Sequence, residues 1–290
     1  MYEIANKTSI SKKKSNNKFI DMISYLSLII FSIIIAFPFL WLILSSIKTK
    51  DEIWMFPPSL WPKVPQWNNY TEVLSGAPFG LYIFNSTFTA SFIVVIQLIN
   101  SAMIAYAFTQ LKFKGKNLLF AIVMVTYMLP AAATYVPSYM LISKMNMLDS
   151  YKGIIISNLV NVFGIFLIRQ AFMQVRKEMI EAAKIDGAGH FRILVYIMIP
   201  FCKSSFITLA LLSFISNYNN YLWPSLIIKD PKHYLVTIGL RQFFIQGGAY
   251  GIKWPQVMAA SAITVIPLLL LFFITQKWFM KSIGDTGLKG

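Results

Sequence analysis

The sequence predicts an all-α membrane protein with six transmembrane helices. Three observations carry that prediction. Of 290 residues, 57% are hydrophobic and only 13% charged, with a mean hydropathy of +0.61, whereas a soluble chain of this length needs a larger polar surface. The apolar residues gather into six tracts that contain no Asp, Glu, Lys, Arg or His. Between the tracts lie short segments whose Lys and Arg content alternates between rich and poor.

The tracts are residues 22–44, 83–108, 118–142, 153–168, 204–228 and 255–276. About 20 helical residues cross a hydrocarbon core of ~30 Å, so each reads as one span. The first follows Lys12, Lys13, Lys14 and Lys18 in the manner of a signal peptide. Its apolar stretch is too long for one and no Ala-x-Ala site follows, so it reads as a retained helix. Pro38, Pro130, Pro137 and Pro267 fall inside tracts, where each removes a backbone hydrogen bond and predicts a packing kink or a hinge.

Orientation follows from the basic residues. With the N-terminus inside, seventeen of the 26 Lys and Arg fall on the cytoplasmic side and nine outside, the bias expected of a plasma-membrane protein with both termini cytoplasmic. The organisation is then an N-terminal tail (1–21), a membrane domain (22–279) and a C-terminal tail (280–290). The formal charge of +15 lies between spans rather than on one face, which argues against nucleic acid as a partner. Cys202 is the single cysteine, which excludes an internal disulfide and reads as a small apolar residue near a membrane boundary. His190 and His233 are far apart in sequence and from clustered carboxylates. No metal site or catalytic triad is therefore expected, and His190 reads as a solvated loop residue.

The loop at 174–200, cytoplasmic in this topology, carries the most information. Residues 175–185 predict a short helix that stops at Asp186-Gly187, since Gly is favoured just past a helix end. Ala182 and Ala183 allow another protein close to its backbone, and Glu178 and Glu181 share a face. Lys184 and Arg192 add charges that can pair with a partner. A second helix over 191–200 feeds the fifth span, giving a rigid helix–turn–helix held between two spans.

Glu181-Ala182-Ala183, Gly187 and Ile197-x-Ile199-Pro200 resemble, in residue type and spacing, the EAA loop of binding-protein-dependent ABC importer permeases. Ile199 stands where that loop usually has Leu. Asn219-Asn220-Tyr221-Leu222-Trp223-Pro224 is similar to the Trp-Asn-Glu-Phe-Leu-Trp-Pro stretch of sugar permeases, with Tyr218 and Asn220 replacing Trp and Glu. Thr237-Ile238-Gly239-Leu240, Phe243, Pro267, Gln276-Lys277-Trp278-Phe279 and Gly287-Leu288-Lys289-Gly290 extend the likeness to the second permease of maltose-type carbohydrate importers.

That resemblance implies a type I ABC importer fold. The chain would form half of a translocation path for a sugar or oligosaccharide, beside a second permease subunit. The loop would be the coupling helix, with Glu181, Ala182, Ala183, Asp186, Gly187 and Pro200 engaging a dimer of separate ATPase subunits. ATP and magnesium would be held there, and no cofactor by this chain. No G-x-x-x-x-G-K-[ST] run occurs, so the P-loop route to phosphate binding is closed and the chain reads as a non-catalytic subunit. An extracellular solute-binding protein would dock outside, with Gly247, Gly248 and Tyr250 of the last outer loop as candidate contacts; the bilayer is the remaining partner.

Spans without ionisable groups disfavour an ion-coupled carrier and favour neutral cargo. Asn158, Asn161, Asn217, Tyr218, Asn219 and Trp223 are candidates to line the path, because amides bond hydroxyls and rings pack on sugar C–H faces. Interhelical packing is the competing use of the same residues. Two alternatives stay open: the same architecture carrying a non-sugar solute such as a polyamine or glycerol phosphate derivative, and an ion-coupled secondary transporter.

Overall fold

The computed structural model of the protein describes residues 18–245 and 251–287. The helices are α1 (Lys18–Ser46), α2 (Lys50–Trp54), α3 (Asn68–Gly76), α4 (Phe79–Gln110), α5 (Lys116–Tyr127), α6 (Ala131–Lys144), α7 (Tyr151–Ser157) and α8 (Val162–Met173). There follow α9 (Lys177–Ile185), α10 (His190–Phe201), α11 (Lys203–Tyr218), α12 (Leu222–Ile227), α13 (Val236–Ile245) and α14 (Trp254–Gly287). The described residues contain no strand.

Three helices are each long and apolar enough to cross a membrane unbroken: α1, α4 and α14. Three bent pairs supply the other spans: α5 with α6 at 98°, α7 with α8 at 47°, and α10 with α11 at 80°. Counting each bent pair as one span gives up to six by length and composition, with α10 lying in the 174–200 loop that precedes the fifth tract. Along α1, Leu26, Phe31 and Ile35 are all more than half exposed, and a helix that leaves so many apolar side chains uncovered is stable only in lipid.

Several irregularities have a local cause. Between α5 and α6, Pro130 has no N–H and disfavours the α conformation at Leu129, so the third tract turns instead of running straight. Pro137 is accommodated inside α6. The fifth tract, expected to be continuous over 204–228, ends as helix at Tyr218 and resumes as the separate α12. Asn217, Asn219 and Asn220 stand at that point, and Asn competes with the helix for its own backbone groups. Within α10 the turn Leu194–Met198 widens to a π-turn closed by Ile199 N–H on the Leu194 carbonyl, next to Pro200, which has no N–H to give.

α4 is the central pillar, and all three buried clusters meet on it. Ile93 joins Ile142, Ile154, Trp223 and Ile227. Phe79, Tyr82 and Val94 join Phe214, Tyr218, Ala259 and Ala260. Ala102, Ala105 and Tyr106 join Ile168, Phe172 and the loop residues Ile180, Ile193 and Met198. Between spans, lipid is as apolar as leucine, so close packing and hydrogen bonds hold such helices together. Gly164 of α8 shows the closeness: a Cβ there would lie 2.8 Å from Ser101 Oγ and 3.0 Å from Leu209.

Candidate functional site

The loop helix is rooted on one side and bare on the other. Ile180 is buried against the cluster that includes Ile168, Phe172 and Met198, so α9 is fixed to the spans. Glu178, Glu181, Ala182 and Asp186 are exposed and Ala183 half-buried. Among the described residues neither Glu178 nor Glu181 has an ion-pair partner. Ile185, Phe191 and Tyr196 are 86%, 78% and 73% exposed, a large apolar share for a surface with no covering element. Ala183, Asp186, Ala188, Arg192, Tyr196 and Ile197 line a cavity of about 490 Å³ between the two loop helices.

The turn is a Schellman cap. Ala188 N–H donates to the Ala183 carbonyl at 2.9 Å and Gly187 N–H to Lys184 at 3.0 Å, satisfying carbonyls left free at the helix end. Gly187 takes φ +78°, as the sequence signal after a helix end anticipates. A Cβ on it would meet nothing within 4 Å, so the need for glycine lies in the backbone alone. Pro200 closes α10 and makes no part of the exposed face of α9. His190 is exposed, as read from the sequence, and its Nδ1 also lies 2.9 Å from the Tyr106 hydroxyl, tying α10 to α4.

Of the residues expected along the path, Asn158, Asn161 and Asn217 gather around a fourth amide. Gln97 of α4 donates Nε2 to the Asn158 carbonyl at 2.7 Å, and its Oε1 accepts from Ser213 Oγ and from Asn161 Nδ2 at 3.4 Å. Asn100 donates to the Leu159 carbonyl at 2.9 Å. Asn161 caps α8, its Oδ1 accepting Gly164 N–H at 3.0 Å. Asn217 donates to the Ser213 carbonyl at 2.8 Å. Gln97 and Asn100 thereby satisfy carbonyls, and Asn161 an N–H, freed where the fourth span breaks.

Tyr218 and Trp223 lie elsewhere and are committed in this conformation. Tyr218 is buried and donates its hydroxyl to the Thr264 carbonyl at 2.9 Å. Trp223 is buried, stacks on Tyr135 at 5.5 Å and donates Nε1 to Ser157 Oγ at 2.7 Å. Asn219 is exposed at the end of α11. Gly247, Gly248 and Tyr250 fall outside the described residues.

One expectation is corrected at the loops that follow α6 and α12. His233 is not remote from carboxylates: Asp149, Asp230 and His233 bring ligand-type atoms within 4.8 Å of one another. Asp149 Oδ1 accepts the Lys229 and Asp230 N–H groups, each at 3.0 Å, and lies 3.6 Å from His233 Nδ1. The Asp230 N–H, followed by burial working the other way and then the Lys229 N–H and His233, leaves the Asp149 carboxyl below its ordinary range. Asp230 Oδ1 accepts the Lys232 N–H at 2.9 Å. The trio clasps two loops that are 80 residues apart in sequence, a contact that single-sequence spacing does not reveal.

Residues 98–285 match the family described as binding-protein-dependent transport system inner membrane component. The chain belongs to that family. It is 33% identical over 277 residues to the sn-glycerol-3-phosphate transport system permease protein UgpE of Yersinia enterocolitica serotype O:8 / biotype 1B, covering 93% of this chain and 98% of that one. The protein of the same description from Brucella abortus (strain 2308) is 32% identical over 273 residues, covering 92% and 96%. Among solved structures, a bacterial ABC transporter involved in the import of the acidic polysaccharide alginate superposes with TM-score 0.79 at 23% identity, over 96% of this chain and all of that one. The alginate transporter in complex with its pentasaccharide-bound periplasmic protein gives TM-score 0.64 at 14% identity, over 92% and 95%. The fold is that of type I ABC importer permeases.

Proposed function

We propose that this chain is the permease subunit of a sugar-importing ABC transporter, forming half of the path and receiving the ATP-driven stroke through α9. The observation that carries the reading is the two-sided loop. Ile180, Ile193 and Met198 bind it to α4 and α8, while Glu181, Ala182, Ile185 and Asp186 stand uncovered. A push on the bare face is delivered to the spans because a packed core transmits displacement.

In this reading Glu181 pairs with a basic group on a separate ATPase dimer, and Ala182, Ala183 and Gly187 let the helix seat. Closure of the dimer draws the loops together and rocks the spans between outward- and inward-facing states. ATP binding must then favour one state by several kcal/mol. The loop and both termini face the cytoplasm, a second permease subunit completes the path, and a solute-binding protein delivers cargo outside. ATP and magnesium stay on the ATPase.

Cargo with several hydroxyls suits spans that carry amides and rings but no charges. A second reading, sn-glycerol-3-phosphate, is favoured by the names of the curated relatives. Uptake by the reconstituted assembly, with a panel of labelled sugars against labelled sn-glycerol-3-phosphate, separates the two. Transport of the phosphate ester alone would displace the sugar reading.

A further inference from the structure

The connection between α4 and α5, residues 111–115, concentrates positive charge beside an apolar surface. Lys112 and Lys114 are exposed and Lys116 half-buried. Among the described residues none of the three has an ion-pair partner. Lys116 is partly committed, its Nζ donating to the Leu111 carbonyl at 3.1 Å and the Thr109 carbonyl at 3.2 Å, which closes the end of α4. Arg169 reaches the same end from α8. Its guanidinium sits 4.1 Å from the centre of the Phe120 ring, its Nε is buried without a hydrogen-bond partner, and its charge acts on Lys116.

A cavity of about 420 Å³ opens at this point, with Leu111, Lys112, Phe113, Gly115, Lys116 and Leu118 in its lining. Phe113 and Phe120 both pack against Phe108, at 6.2 and 5.4 Å, so the wall behind the cations is aromatic and fixed. Further along α5, Leu118, Leu119 and Ile122 are 67%, 48% and 51% exposed. Four cations, none with an ion-pair partner among the described residues, thus border an uncovered apolar helix face at a membrane boundary.

We propose that this pocket binds the headgroup of an anionic phospholipid, whose acyl chains lie along Leu118, Leu119 and Ile122. An amphiphile uses both halves of the surface at once. Basic pockets where spans meet the interface attract anionic headgroups, each nearby Lys or Arg adding to the attraction. A small free anion would use the cations and leave the leucines bare. An acidic segment of a protein partner would do the same.

The test is native mass spectrometry of the full chain in its transporter assembly, released from bilayers of phosphatidylcholine with a minor fraction of phosphatidylglycerol. The wild type should retain phosphatidylglycerol selectively. Lys112→Gln/Lys114→Gln changes only exposed side chains and should weaken that retention about tenfold or more. Lys152→Gln/Lys229→Gln, in other loops, should leave it intact. Equal retention by both double variants would overturn the proposal, and so would displacement of the lipid by inorganic phosphate alone. Loss of the ATPase subunits from Lys112→Gln/Lys114→Gln with lipid retention unchanged would assign these lysines to a protein contact instead.

Discussion

Gln97, buried in α4, donates its side-chain amide to the main-chain carbonyl of Asn158 at 2.7 Å, at the point where the fourth span breaks between α7 and α8. A carbonyl freed inside a membrane protein needs such a donor. Because Oε1 of the same amide accepts from Ser213 of α11, one side chain joins three spans.

Gln97→Leu should therefore leave the Asn158 carbonyl and the Ser213 hydroxyl without that partner. An unmade buried hydrogen bond costs about 1–3 kcal/mol. Thermal unfolding of the detergent-purified assembly should shift down clearly, with sugar uptake reduced alongside. An unshifted transition would mean that water or another group replaces the amide and that the node does not pin the break.

Tyr218 and Trp223 separate packing from cargo contact. Each spends its polar atom on protein, Tyr218 on Thr264 and Trp223 on Ser157. Tyr218→Phe and Trp223→Phe should each lower stability, by about 0.5–1.5 kcal/mol for the lost hydrogen bond, and leave the substrate concentration for half-maximal uptake unchanged. A several-fold rise in that concentration at unchanged stability would place either residue in the path.

The Asp149 clasp predicts a response to acid. Backbone N–H groups of Asp230 and Lys229 favour the charged Asp149 carboxylate, so its folded pKa lies below the ordinary 3.8. A depressed carboxylate contributes its stability fully above the unfolded value and loses it as pH falls through the folded one. The melting temperature of the wild type should therefore fall more steeply than that of Asp149→Asn as pH drops below about 4. Parallel curves for the two proteins would show that the clasp carries no charge-dependent stability.

How much of this was legible depends on where each signal resides. The apolar tracts are local and need no partner, so six spans could be read directly. Gly187 could be read too, because the need for a positive φ after Ile185 is set by the chain itself. The 98° turn at Pro130 and the separate α12 after Asn220 show only as breakers in the sequence, since the angle is fixed by packing. The Gln97–Asn158 bond, the Tyr106–His190 pair and the Asp149–His233 clasp join segments 61 to 84 residues apart, and nothing in a single sequence aligns them. That is why the Tyr106 partner of His190 went unread and His233 read as isolated. Asn158, Asn161 and Asn217 were recognisable as unusual inside apolar tracts, but not as neighbours of one glutamine.

Gly187 tests the cap itself. With no atom within 4 Å of a Cβ there, only the φ of +78° penalises substitution, at roughly 1–2 kcal/mol for an L-residue. Gly187→Val should disturb the turn most, because a branched residue tolerates positive φ poorly, and Gly187→Asn least. Uptake at matched expression should rank wild type, Asn, Val. An Asn variant as impaired as Val would point to a steric role at the docked surface in place of a backbone one.

The central claim is that the bare face of α9 transmits ATP use to transport, and Glu181→Ala in proteoliposomes tests it most directly. Glu181 is exposed in this chain, so the substitution should not disturb the fold. If docking buries it against a basic group, truncation costs about 2–5 kcal/mol of that contact. With wild-type membrane insertion, the variant should lose ATPase co-purification, or hydrolyse ATP without cargo-stimulated uptake. Wild-type uptake, wild-type stimulation of ATP hydrolysis and full co-purification at equal protein would contradict the claim and remove this loop as the transmission element.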